Sequence, residues 1–165
     1  MKNFNKVYNL LLEAKVHTKK DPPWDGGIWK KGTWKDGTWE DGVWEDGKWV
    51  NGTWETGTWV DGIWEDGVWY NGIWESGTWK GGTWESGFWE SGTWKGGTWK
   101  FGTWKSGLWE NGTWITGRWK DGEWENGTWK GGWILDPDKK GNFKKDWKWK
   151  DKYVQSPISP KEYFG

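Results

Sequence analysis

The side chains able to do chemistry are few in kind and regular in placement. The one histidine, His17, sits in a Lys-rich segment without a Cys or Ser partner, and a solvated imidazole is its simplest reading. There is no Cys, which removes thiolate nucleophiles, thiolate metal sites and disulfides. Asp and Glu are abundant but recur with a fixed period, as decoration of exposed positions and not as the paired carboxylates of a glycosidase. Glycines recur too, yet no Gly-Lys-Ser or Gly-Lys-Thr is present, and a phosphate loop needs that motif and a helix after it. Tryptophan faces could stack sugars or bases, but only if exposed. The residues assemble no catalytic set, no cofactor site and no metal site, and the protein reads as non-enzymatic.

What must position these side chains is a repeat. Trp occurs at 24, 29, 34 and every fifth residue through 129, making 22 consecutive units, and Gly does the same from 27 through 132. A perfect register of this kind is the signature of a repeat architecture. Of 165 residues, 25 are Trp and 28 are Gly, while Ala occurs once (Ala14). Tryptophan must therefore be the core. Trp29, Trp34, Trp39, Trp44, Trp64, Trp84, Trp104 and Trp124 are representative core positions. Gly37 and Gly82 are representative of the small position two residues before each Trp.

Within the unit Gly-x-Trp-x-x, Gly and Trp are two apart and share one side of an extended segment. The residue between them is β-branched in 16 of 21 units, eleven of these Thr, which is strand chemistry. Lys48, Arg118 and Glu123 share that position, so it faces solvent. Asp, Asn, Ser, Gly or Thr usually precedes the Gly, as turn residues do. Each unit is thus a short strand followed by a corner. Helix is excluded by a Gly every five residues and by a period that fits no helical face.

Strand-corner units can wind into a solenoid or fold into a flat meander of hairpins. A meander would place every Trp on one uncovered face, so the solenoid is expected. Four units per coil sort the outward residues well: Thr33, Thr53, Thr93 and Thr113 share one face and Thr38, Thr58, Thr78 and Thr98 another. Three units per coil also sort them, giving one face Thr at six of seven positions (Thr38, Thr53, Thr83, Thr98, Thr113, Thr128). Both registers remain open.

The unit resembles the pentapeptide-repeat family, with Trp39 and its equivalents at the central bulky position and Gly37 and its equivalents at the small one. That resemblance covers residues 24–132 and implies an all-β, right-handed, four-sided β-helix. Two departures are Trp in place of Leu or Phe, and Thr or Val in place of the usual Asn or Asp. Some members of that family mimic DNA through an acidic surface and bind topoisomerase. In a four-sided coil Glu45, Glu65 and Glu85 would stack in this way, with Lys105 following.

The ends differ from the repeat. In residues 1–23, Phe4, Val7/Tyr8, Leu11/Leu12 and Val16 recur at helical spacings, and the segment is expected to form a helical cap or leader ending at Pro22-Pro23. Residues 133–165 read as a C-terminal cap in which Trp129 to Trp133, four apart, breaks the register. There Trp147, Trp149 and Tyr153 mark one strand, followed by a Pro-containing tail. Met1-Lys2, Phe4 and Leu11-Leu12-Glu13-Ala14 resemble the capsid-targeting leaders of T-even-like phage internal head proteins. That resemblance implies processing between Glu13 and Ala14.

The formal net charge is zero, with −6 on residues 24–132 and +6 on the two ends together; basic tails of this size read as solvated, so nucleic acid is not expected. No apolar run suits a membrane span and nothing resembles a signal peptide. The expectation is a structural or scaffolding protein of a host cytoplasm or a phage virion, not secreted. Its expected partners are virion or host proteins, with self-association through the solenoid ends. The alternative is a module that binds a host topoisomerase.

Overall fold

The computed structural model describes residues 12–17, 24–136 and 153–165. Residues 24–135 wind into a β-solenoid whose strands pair in parallel with the strand fifteen residues on, as Thr78 with Thr93 and Trp79 with Trp94. Each coil therefore holds three five-residue units, and the solenoid is three-sided. The four-sided coil implied by the family resemblance is not the one adopted. Twenty-two units at three per coil make about seven turns.

The strands are short because the corners are frequent. After β1 (Leu12–His17), β2 (Trp24–Trp34) and β3 (Thr38–Trp44) come two-residue strands, β4 (Lys48–Trp49) to β20 (Thr128–Trp129). Each of these consists of the outward residue and its Trp. Two backbone bonds tie every unit to the coil before. The outward residue donates to a Gly carbonyl, as Thr53 to Gly37 at 2.9 Å, and the residue after Trp donates to a Trp carbonyl, as Glu55 to Trp39 at 2.7 Å. β-branched residues suit the half-exposed side of such strands, and Trp fills the other.

The repeat continues one unit beyond the last register Trp. β21 (Trp133–Leu135) pairs with Arg118-Trp119, so that Ile134 stands opposite Trp119 and is fully buried. Trp133 holds the outward position and is 39% exposed. The four-residue Trp129–Trp133 spacing does not break the register, which the backbone keeps with Ile134 in the core position. The parallel pattern ends at β22 (Tyr153–Gln155), which pairs antiparallel with β21. A single turn of helix, α1 (Pro160–Phe164), follows, with Ser159 as its N-cap and a reciprocal capping box to Glu162.

At the other end the expected helix is not found where the chain is described. Leu12–His17 is a strand, β1, paired in parallel with β2 with Val16 in register with Thr33 and His17 with Trp34. A free edge of the first coil offers unpaired backbone groups, and pairing with them outweighs the local helical spacing. The first eleven residues of the helix expectation lie outside the described residues, as do Trp147 and Trp149. No helix among the described residues is long and apolar enough to cross a membrane.

Candidate functional site

The interior is a continuous array of indoles. Trp29, Trp34, Trp39, Trp44, Trp64, Trp84 and Trp104 have no exposed surface, and Trp124 is 5% exposed. Along each of the three sides, indoles fifteen residues apart stack nearly parallel, as Trp39 on Trp54 with ring centroids 4.7 Å apart and planes 5° apart. Within each level, neighbours meet edge to face, as Trp39 and Trp44 at 6.0 Å and 72°. Both geometries are those the indole quadrupole favours, worth about 0.5–1.5 kcal/mol per pair beyond burial. Three rings in a pinwheel close the level.

The glycines answer a backbone constraint more than a core one. Gly82 has φ +96°, and a Cβ there would meet the backbone of Gly67 one coil below, with Asp66 Oδ1 at 3.0 Å. Gly37 lies at φ +125°. The side chain that glycine excludes would strike the neighbouring coil, and at units such as Gly52, with Trp49 at 3.2 Å, the indole also crowds it.

The corner residue caps its successor. Asp41, Asp46, Asp61, Asp66, Asn111 and Asp121 each accept the N–H of the following Gly through Oδ1, at 2.6–2.8 Å. A short acceptor side chain there satisfies a donor that the coil ladder leaves unused. Among the described residues, indole N–H groups find carbonyls near the corners and the cap: Trp84 to Phe101, Trp104 to Asp121 and Trp114 to Gly131 at 3.1 Å, and Trp129 to Ser156 at 3.0 Å.

On the surface, the three-sided register regroups the charges. Glu45, Glu65 and Glu85 fall on three different sides, because they are twenty residues apart and the coil repeats at fifteen. The acidic ladder of a four-sided coil does not form. Ion pairs link some successive coils instead: Lys80 pairs with Glu65 at 3.0 Å, Lys100 with Glu85 at 2.8 Å and Lys95 with Glu110 at 3.6 Å. The Lys48 ammonium, with that of Lys80, holds the Glu65 carboxyl below the usual carboxylate range. Exposed pairs of this kind add little stability. The side holding Thr38, Thr53, Thr83, Thr98, Thr113 and Thr128 carries a Thr column interrupted by Val68. Phe88 and Phe101 are each about half exposed.

The residues considered for chemistry are not brought together. His17 and the Glu13–Ala14 bond lie in β1 at the first coil. Among the described residues no three His, Cys, Asp or Glu side chains gather as a metal site. A shallow cleft between α1 and the solenoid is lined by Glu123, Trp124, Glu125, Lys161 and Phe164, and Lys161 Nζ donates to the Glu125 carbonyl across it at 3.0 Å. Spacing alone could not reveal the pair at this end, Tyr163 donating to Asp136 Oδ2 at 2.8 Å, because its members are 27 residues apart.

The geometry defines the class of protein: a three-sided, Trp-cored β-solenoid of pentapeptide units. No protein-family model matches the chain, and no curated protein does. Among solved structures, a protein named provisionally as an acetyltransferase, from Desulfovibrio desulfuricans G20, aligns over 83% of this chain at 6% identity with a TM-score of 0.20. The match spans 36% of that protein's length, and at that score it carries no argument.

Proposed function

We propose that this protein is a non-enzymatic structural element, a stiff rod that serves as a scaffold or spacer. The observation that supports this is the uninterrupted indole array, whose stacking geometry is nearly constant from Trp34 to Trp124. A core that is uniform along its length resists bending everywhere, and repeat arrays of this kind are stabilised by nearest-neighbour contacts. β1 covers one end and β22 with α1 the other, which suits a rod of defined length. The finer reading, a phage-encoded protein carried in the virion, rests on Met1-Lys2, Phe4 and Leu11-Leu12-Glu13-Ala14. Among the described residues β1 pairs only with β2, and an extended strand at a sheet edge can be bound by strand addition. Mass spectrometry of purified virions tests it: a mature chain beginning at Ala14 supports the reading, and absence of the protein, or its presence only with residues 1–13 attached, contradicts it.

A further inference from the structure

We propose that the indole core has a second activity: it conducts an electron vacancy along the solenoid to Tyr163, where Asp136 takes up the phenolic proton. The partner is a one-electron oxidant, such as a radical or a photoexcited metal complex.

Continuity is the first support. One column runs Trp39, Trp54, Trp69, Trp84, Trp99, Trp114, Trp129, with successive centroids 4.7–5.1 Å apart. Edge-to-face contacts join the columns at every unit, the last being Trp124 with Trp129 at 5.6 Å. Six stacked steps at the roughly 4.8 Å spacing of paired strands span about 29 Å. A vacancy can cross that distance in short hops between rings of one kind, whereas a single transfer across it would be far slower.

Proton chemistry is the second. An oxidised indole is fixed in place when a base removes its Nε1 proton. The Nε1 groups of Trp39, Trp54, Trp69 and Trp99 are buried without an acceptor, and those of Trp84, Trp114 and Trp129 face peptide carbonyls, which are not bases. The vacancy therefore stays mobile in the core. Tyr163 packs against the core, and its hydroxyl donates to the buried Asp136 carboxylate at 2.8 Å. The step balances. The oxidant gains one electron from an indole, which becomes a radical cation. That cation is refilled along the stack by Tyr163, whose O–H bond breaks. The electron goes to the indole and the proton to Asp136, leaving a neutral phenoxyl radical and a carboxylic acid.

The chain has no Cys, so Thr38→Cys offers a unique attachment point for a ruthenium polypyridyl photo-oxidant beside Trp39, six stacked steps from Trp129. Tyr70, about half exposed and next to Trp69, could lose its proton to water, so Tyr70→Phe is the background. After a flash with an added electron acceptor, transient absorption and electron paramagnetic resonance should show a phenoxyl radical. That radical should be lost in Tyr163→Phe. In Asp136→Asn it should fall, with a longer-lived indole cation in its place. A phenoxyl signal unchanged in either variant, or oxidation confined to indoles beside the label, overturns the proposal. With the Tyr163 and Asp136 side chains intact and a spin trap added, peptide mapping should place the adduct on Tyr163; adducts spread over core Trp residues overturn it without any change at the cap.

Discussion

Trp84 lies on Trp99 with ring centroids 4.8 Å apart and planes 6° apart, and fifteen residues separate them. That number determines which side chains become neighbours. Lys100 reaches Glu85 because they too are fifteen apart, while Glu65 and Glu85, twenty apart, face different directions. The surface of this protein is therefore set by the coil period, and the coil period by how many indoles close one level.

Glycine substitution separates backbone crowding from surface effects. Gly82→Val places a side chain against the Gly67 backbone and strains a residue at φ +96°. Overpacking and strain together should cost about 3 kcal/mol or more. Thr83→Val, on the outward side of the same unit, should stay within about 0.5 kcal/mol. Urea denaturation of the two variants checks this, and equal losses would contradict the inward and outward assignments.

Much of this was legible in the sequence, for a physical reason. A five-residue unit with Trp and Gly in constant places states its strand, its corner and its core side locally. The number of sides is a non-local property. Thr columns emerge from both three- and four-unit registers because Thr occupies about half of the outward positions, so pattern alone is degenerate. Val16 and Leu12 read as a helical stripe, but the unpaired edge of Trp29–Trp34 recruits them into β1. The substitution of Ile134 for Trp is invisible as continuity because Trp133, the neighbouring residue, is the one that looks like the repeat. Asp136 and Tyr163 meet only through the folding of the cap.

The corner carboxylates should act as caps. Asp66→Ala removes the acceptor for the Gly67 N–H, 2.8 Å away, and should cost about 0.5–1.5 kcal/mol. Asp66→Asn should cost less, since Asn111 accepts from Gly112 at the same distance. Thermal melts of both variants provide the comparison, and a larger loss for Asn than for Ala would rule the cap out.

The helix cap should loosen in acid. The backbone N–H of Ser159, and then its side chain, hold the Glu162 carboxyl below its usual range. A carboxylate depressed in the folded state contributes stability above its unfolded pKa and loses it as pH falls through the folded value. Amide exchange in α1 should therefore accelerate as pH drops below the ordinary carboxylate range, after correction for intrinsic rates. Glu162→Gln should remove that pH dependence, and persistence of the dependence would assign it to another group.

DNA mimicry should be absent. Glu45, Glu65 and Glu85 lie on separate sides, with Lys80 and Lys100 paired to the latter two, so the acidic row that a four-sided coil would stack is dispersed. Gyrase supercoiling should be unaffected by the protein. Inhibition at stoichiometric protein would revive the topoisomerase reading.

The three-sided coil is tested most directly by which outward residues touch. Because the chain has no Cys, two introduced cysteines can carry pyrene without interference. Thr83 and Thr98 are paired strand neighbours fifteen residues apart, whereas Thr78, which pairs with Thr93, and Thr98 lie on different sides. Thr83→Cys with Thr98→Cys should give strong pyrene excimer emission, and Thr78→Cys with Thr98→Cys should give monomer emission. The reverse result would mean a coil of four units, and excimer from neither pair would contradict the solenoid.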